Sequence, residues 1–165
     1  MKISDAPTTQ AEIEIHAPAE KVWQIVSDIQ TPALTSSEFQ GADWLDGATE
    51  AAVGARFRGR NAHKAIGEWA TTCIVTVVDA PNEFAYAVEN VEDPSAVWRY
   101  LIKPSGDGVS LTQIAQIGPG PSGLSPAIER MPEKETRIIE RRLSEHHANM
   151  TANLAEIKKL AEGQE

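Results

Sequence analysis

One cysteine, Cys73, stands among 165 residues, and a lone thiol cannot close an intrachain disulfide. Metal-site spacings of the CxxC or HExxH kind are missing as well, so neither a metal nor a tightly held cofactor is expected. No apolar run approaches the ~18 residues that would span a bilayer. The opening segment MKISDAPTTQAEIEI lacks the continuous apolar stretch of a signal peptide. A cytoplasmic protein without stable membrane insertion is therefore expected. Positive charge is also scarce: 15 Lys plus Arg face 24 Asp plus Glu, a net of -9, which repels phosphate backbones at long range. Covalent catalysis finds no footing, because there is no GxSxG elbow. Cys73, in an apolar setting with no histidine beside it, reads as a small buried hydrophobe.

What is present is patterned. The stretch GARFRGRN puts Arg56, Arg58 and Arg60 on one side of a strand and Phe57 and Gly59 on the other. Three arginines on one short strand are too few for a nucleic-acid surface in so acidic a chain, and no nucleic-acid partner is expected. With no internal repeat and no dividing linker, residues 1–165 read as one domain, large enough to bury roughly 70% of its unfolded surface. Residues 1–10 read as a flexible N-terminal segment.

EIEIH at 12–16 alternates as a strand, and Pro18 with Glu20 opens a helix whose apolar side carries Val22, Trp23 and Val26. A turn-rich patch with Pro32, Ser36, Ser37 and Gly41 leaves room for a second short helix. From Gly41 to Ile117, runs of strand pattern are divided by breaks such as DAPN and SGDG. Breaks that short join antiparallel neighbours, so the middle of the chain is a meander. Read by parity, the inward face holds Phe57 and Gly59; Trp69, Thr71, Cys73, Val75 and Val77; Phe84, Tyr86 and Val88; Trp98, Tyr100 and Ile102; and Leu111, Gln113, Ala115 and Ile117. The run after Gly118 is rich in Gly and Pro, a loop with one helical turn. A long helix is then predicted over 132–162, with acidic residues in its first turn, Lys158 and Lys159 near its end and Gly163 as its stop. Ile139, Leu143, Met150, Leu154 and Ile157 make one apolar stripe along it. That stripe needs a partner, and the aromatic sheet face is the large one available.

The segments EIHAPAEKVWQIVSDI, WLDGATEAAVGARFRGRN, GEWATTCIVTV, WRYLIKP and NMTANLAEIKKL together resemble the START-like (SRPBCC, helix-grip) superfamily, the one with the birch pollen allergen fold. Within it the chain is similar to the polyketide cyclase/dehydrase branch found in actinobacteria. The resemblance implies an α+β fold, a curved antiparallel sheet wrapped around a long C-terminal helix, with two short helices near the N-terminus. It also implies a cavity between sheet and helix that holds small hydrophobic molecules such as lipids, polyketides or quinones. No catalytic signature of the aromatase/cyclases transfers residue by residue, and fold alone does not assign an activity.

The expected ligand-binding residues are Phe57, Trp69, Tyr86, Trp98, Tyr100, Gln113, His146 and Met150. His146 is the best catalytic candidate, since an imidazole has an unperturbed pKa of about 6.5 and takes both protonation states near neutrality. Its neighbour His147 falls on the flank of the stripe. Gln113, polar on an inward parity, requires a hydrogen-bond partner from ligand, protein or water. Glu38 and Glu68 are conceivable acids near the cavity mouth. Gly59 would leave space in the cavity or let its strand bend. The arginines would face solvent or a neighbouring subunit, which is compatible with a homodimer. Three functions fit this pattern: binding of a small hydrophobic or aromatic molecule, a polyketide cyclase or dehydratase acting on one, and an interaction protein whose cavity has collapsed.

Overall fold

The structure, a computed structural model, describes residues 1–163. In chain order it runs β1 (Thr8–Ile15), α1 (Ala19–Val26), β2 (Phe39–Trp44), β3 (Arg56–His63), β4 (Gly67–Asp79), β5 (Glu83–Val88), β6 (Ala96–Ser105), β7 (Gly108–Ile117), α2 (Ser125–Arg130) and α3 (Glu135–Ala161). Single 3₁₀ turns at Ile3–Asp5, Thr31–Leu34 and Pro132–Lys134 complete the set. The seven strands form one open antiparallel sheet in the order β1-β7-β6-β5-β4-β3-β2, with α3 along its concave side. This is the helix-grip arrangement.

The N-terminal segment departs from expectation. Its strand begins at Thr8 rather than Glu12, because Thr8 to Ile15 pair in unbroken register with Gln116 to Val109. Ahead of it the Ile3 N–H donates to the Glu135 carboxylate at 3.0 Å, tying the 3₁₀ turn to the start of α3. Much of residues 1–10 is thus held by backbone pairing or by α3.

One inward assignment also fails. Register slips between Val75 and Val77, where β4 carries one more residue than β5. A bulge reverses the side-chain alternation beyond it. Val78, opposite Phe84, therefore packs against the core, and Val77 turns to the other face.

The helix stripe divides its work. Leu154, Ile157 and Ala161 join Ile15, Ala17 and Val22 in the main core, while His146, Met150 and Asn153, at i, i+4 and i+7, share a face further back along α3. The end of α3 is pinned to the end of β1. The Lys158 ammonium donates to the Glu14 carbonyl at 2.8 Å, and the Glu162 carboxylate accepts from the His16 N–H at 2.8 Å. Lys158 also donates to the Glu162 carboxylate at 2.7 Å, and that bond together with the one from the His16 N–H holds the Glu162 carboxyl below its usual range. Gly163, at φ +71, takes the left-handed conformation that ends the helix. No helix among the described residues is long and apolar enough to cross a membrane.

Candidate functional site

Between α3 and the sheet lies a cavity of about 520 Å³. Its walls include Phe57 (β3), Trp69 (β4), Tyr86 (β5), Trp98 (β6), Gln113 (β7), and His146 and Met150 (α3). Tyr100 is the exception among the expected residues. It is buried, but it lies behind the wall, where its hydroxyl accepts a 2.8 Å hydrogen bond from Asn153 Nδ2. Desolvation raises the Tyr100 phenol above its ordinary value, and the Asn153 bond offsets only part of that. Glu68 is exposed on β4 and is not a lining residue, whereas Glu38 is.

Gly59 leaves no room in the cavity. A Cβ built on it would meet the Phe39 ring at 3.1 Å, so the missing side chain accommodates that ring. Phe39 in turn lines the cavity. On the opposite face two of the three arginines meet carboxylates, Arg56 with Asp46 at 2.9 Å and Arg60 with Asp43 at 3.5 Å.

Two of the polar lining side chains form an amide pair. Asn153 Nδ2 donates both to Tyr100 Oη and to Gln113 Oε1, the latter at 3.0 Å. Its two hydrogens are thereby used. Among the described residues, Asn153 Oδ1 is buried with no hydrogen-bond partner.

His146, on the face shared with Met150, sets its ring 4.9 Å from Trp98 in an edge-on contact at 75°. Burial, helped by the positive charge of Arg142, lowers the imidazole to about 3. At neutral pH the ring is therefore uncharged. A proton acceptor so weak is a poor general base, and the deprotonated ring is not an acid of useful strength near neutrality. His147 is exposed, one position off that face. Burial likewise pushes the Cys73 thiol up to about 12, so no thiolate is available at the wall.

About 16 Å along the helix from Asn153, taking 1.5 Å per residue, opposite charges cluster in the lining. Arg142 grips Glu38 through two bonds of 2.6 and 2.9 Å and donates to Glu145 at 2.8 Å. His63 Nε2 approaches the same carboxylates at 3.8 and 3.6 Å. The ligand atoms of Glu38, His63 and Glu145 lie within 4.8 Å of one another, a spacing that could hold a cation. The guanidinium already fills that role, with three charge-assisted hydrogen bonds at the carboxylates. Desolvation would lower the Arg142 guanidinium, but the hydrogen bonds and the negative charges of Glu38 and Glu145 together outweigh it and raise Arg142 above its ordinary value.

The apolar pattern along α3 does not mark Arg142 or Asn153. Their signal was present in their spacing. Asn153 falls seven residues after His146 and three after Met150, so any face holding those two holds it as well. The partnership of Glu38 with Arg142 spans 104 positions and has no local signature.

The family model described as polyketide cyclase / dehydrase and lipid transport matches residues 6–162. Among solved structures, the chain is similar to a polyketide-cyclase-like protein from Corynebacterium glutamicum, 26% identical with a TM-score of 0.65, over 93% of this chain and 90% of that one. BexL, a di-domain ARO/CYC from the BE-7585A biosynthetic pathway, is 14% identical with a TM-score of 0.72, over 98% of this chain and 52% of that one. A protein from Mesorhizobium loti is 18% identical with a TM-score of 0.61, over 96% and 99%. For these last two the likeness is one of fold. A search of curated proteins gave no match.

Proposed function

The chain belongs to the polyketide cyclase/dehydrase and lipid transport family, matched from residue 6 to residue 162, and on that footing we propose that it binds a small hydrophobic or aromatic molecule, polyketide-, lipid- or quinone-like, between sheet and α3. The cavity carries this reading. Its volume of about 520 Å³ falls within the roughly 300–1,000 Å³ of small-molecule sites. Trp69, Tyr86 and Trp98 give it faces on which a planar body can lie. An open volume of that size weighs against the collapsed interaction domain.

Cyclase or dehydratase chemistry needs a group that trades protons near neutral pH. The cavity's one histidine is held neutral, its thiol and its lining phenol are pushed up, and Glu38 is committed to Arg142. Binding is therefore the reading that the side chains support, with cyclisation the alternative if a substrate brings its own acid or base.

Tryptophan fluorescence tests this. Titration with naphthalene and with 1,4-naphthoquinone should change the emission saturably. Trp98→Leu should weaken that response more than Trp44→Leu, because Trp44 lines a separate hollow with Trp23 and Val78. Equal loss in the two variants, or no saturable change in the wild type, would count against the cavity as the binding site.

A further inference from the structure

The unpartnered amide of Asn153 identifies the kind of polar group that the ligand carries. Resting on the binding reading above, we infer that the Asn153 end of the cavity is a subsite for a neutral hydroxyl group on an otherwise apolar ligand, a phenol or alcohol rather than an ether, a carboxylate or a bare hydrocarbon. Asn153 is 4% exposed and lines the cavity, and its Oδ1 lacks a donor. A buried carbonyl oxygen left without a donor is costly. A ligand O–H supplies that donor.

The second half of the recognition comes from Gln113. Its Oε1 is occupied by Asn153 Nδ2, while among the described residues its own amide nitrogen has no protein acceptor. The pair thus offers one vacant acceptor and one vacant donor, and a hydroxyl group is both donor and acceptor. Tyr100 holds the arrangement from behind, since its hydroxyl takes the other hydrogen of Asn153 Nδ2. An ether oxygen or a ketone can only accept. A carboxylate can only accept and also brings a charge, which meets no cation here. Among the described residues, the charged side chains lining the cavity are Glu38, Glu89 and Arg142, and the arginine is about 16 Å away along α3 and engaged by two carboxylates.

Calorimetric titration at pH 7 with naphthalene, 2-naphthol, 2-methoxynaphthalene and 2-naphthoate decides the matter. The wild type should bind 2-naphthol about tenfold more tightly than 2-methoxynaphthalene, with 2-naphthoate the weakest of the four. In Asn153→Leu the ratio of naphthol to methoxynaphthalene affinity should fall below about twofold. Asn153→Ala, read the same way, serves if the leucine variant does not fold. Methoxynaphthalene binding as tightly as naphthol in the wild type, or the tenfold ratio persisting in a folded Asn153 variant, would overturn the subsite and leave the binding function standing. Failure of all four compounds to bind would overturn both.

Discussion

Replacing Arg142 by methionine should destabilise the protein by about 3 kcal/mol at pH 7, the lower end of what removing one partner of a buried ion pair costs. The side chains of Arg142 and Glu38 are only 15% and 11% exposed. Without the guanidinium, Glu38 would keep a charge in a place that water scarcely reaches, and its two short bonds would be lost. Glu145, 30% exposed, has water and Arg141 at 3.5 Å to fall back on and would suffer less. The double variant Glu38→Leu with Arg142→Met should recover much of the loss, because it removes the stranded charge together with its partner. Urea denaturation followed by tryptophan emission measures both. A loss below about 1 kcal/mol for the single variant would put the pair in the class of surface salt bridges and contradict its role in joining α3 to the β2 end of the sheet.

The second large effect concerns pH. The imidazole of His146 is held at about 3 in the folded protein, against about 6.5 for a histidine in an unfolded chain. Between those values the unfolded state binds the proton and the folded state does not, so stability is retained above pH 6.5 and falls as the pH drops toward 3. From pH 7 to pH 5 this one residue should remove about 2 kcal/mol. His146→Leu carries no such proton. Its stability should fall less than that of the wild type over the same interval, by that same amount, while contributions from the other titrating groups cancel in the comparison. Parallel pH profiles for the two proteins would mean that His146 is accessible to protons in the folded state. In that case its candidacy as an acid or base would reopen.

The alternation of apolar and polar residues was enough to find the meander, because a half-buried strand must obey a period of two whatever lies above it. The same rule places Phe57, Trp69, Tyr86, Trp98 and Gln113 on the cavity side from the sequence alone. It failed at Val77, since CIVTVV is apolar on both sides of Thr76 and its alternation does not mark the bulge. It could not separate Tyr100 from its neighbours on β6, because parity assigns a face and not a depth along the strand. On α3 the apolar pattern marks Met150 but not Asn153, which shares its face. The ion pair of Glu38 and Arg142 depends on a loop meeting a helix across the cavity, a juxtaposition that exists only once the sheet has curved.

Native mass spectrometry tests the central claim, that the space between sheet and α3 is a binding site, most directly. Protein freshly purified, and protein incubated with 2-naphthol or 1,4-naphthoquinone, should show a one-to-one complex whose added mass disappears under denaturing conditions. The bare mass alone, in the fresh sample and in both incubated ones, would contradict it.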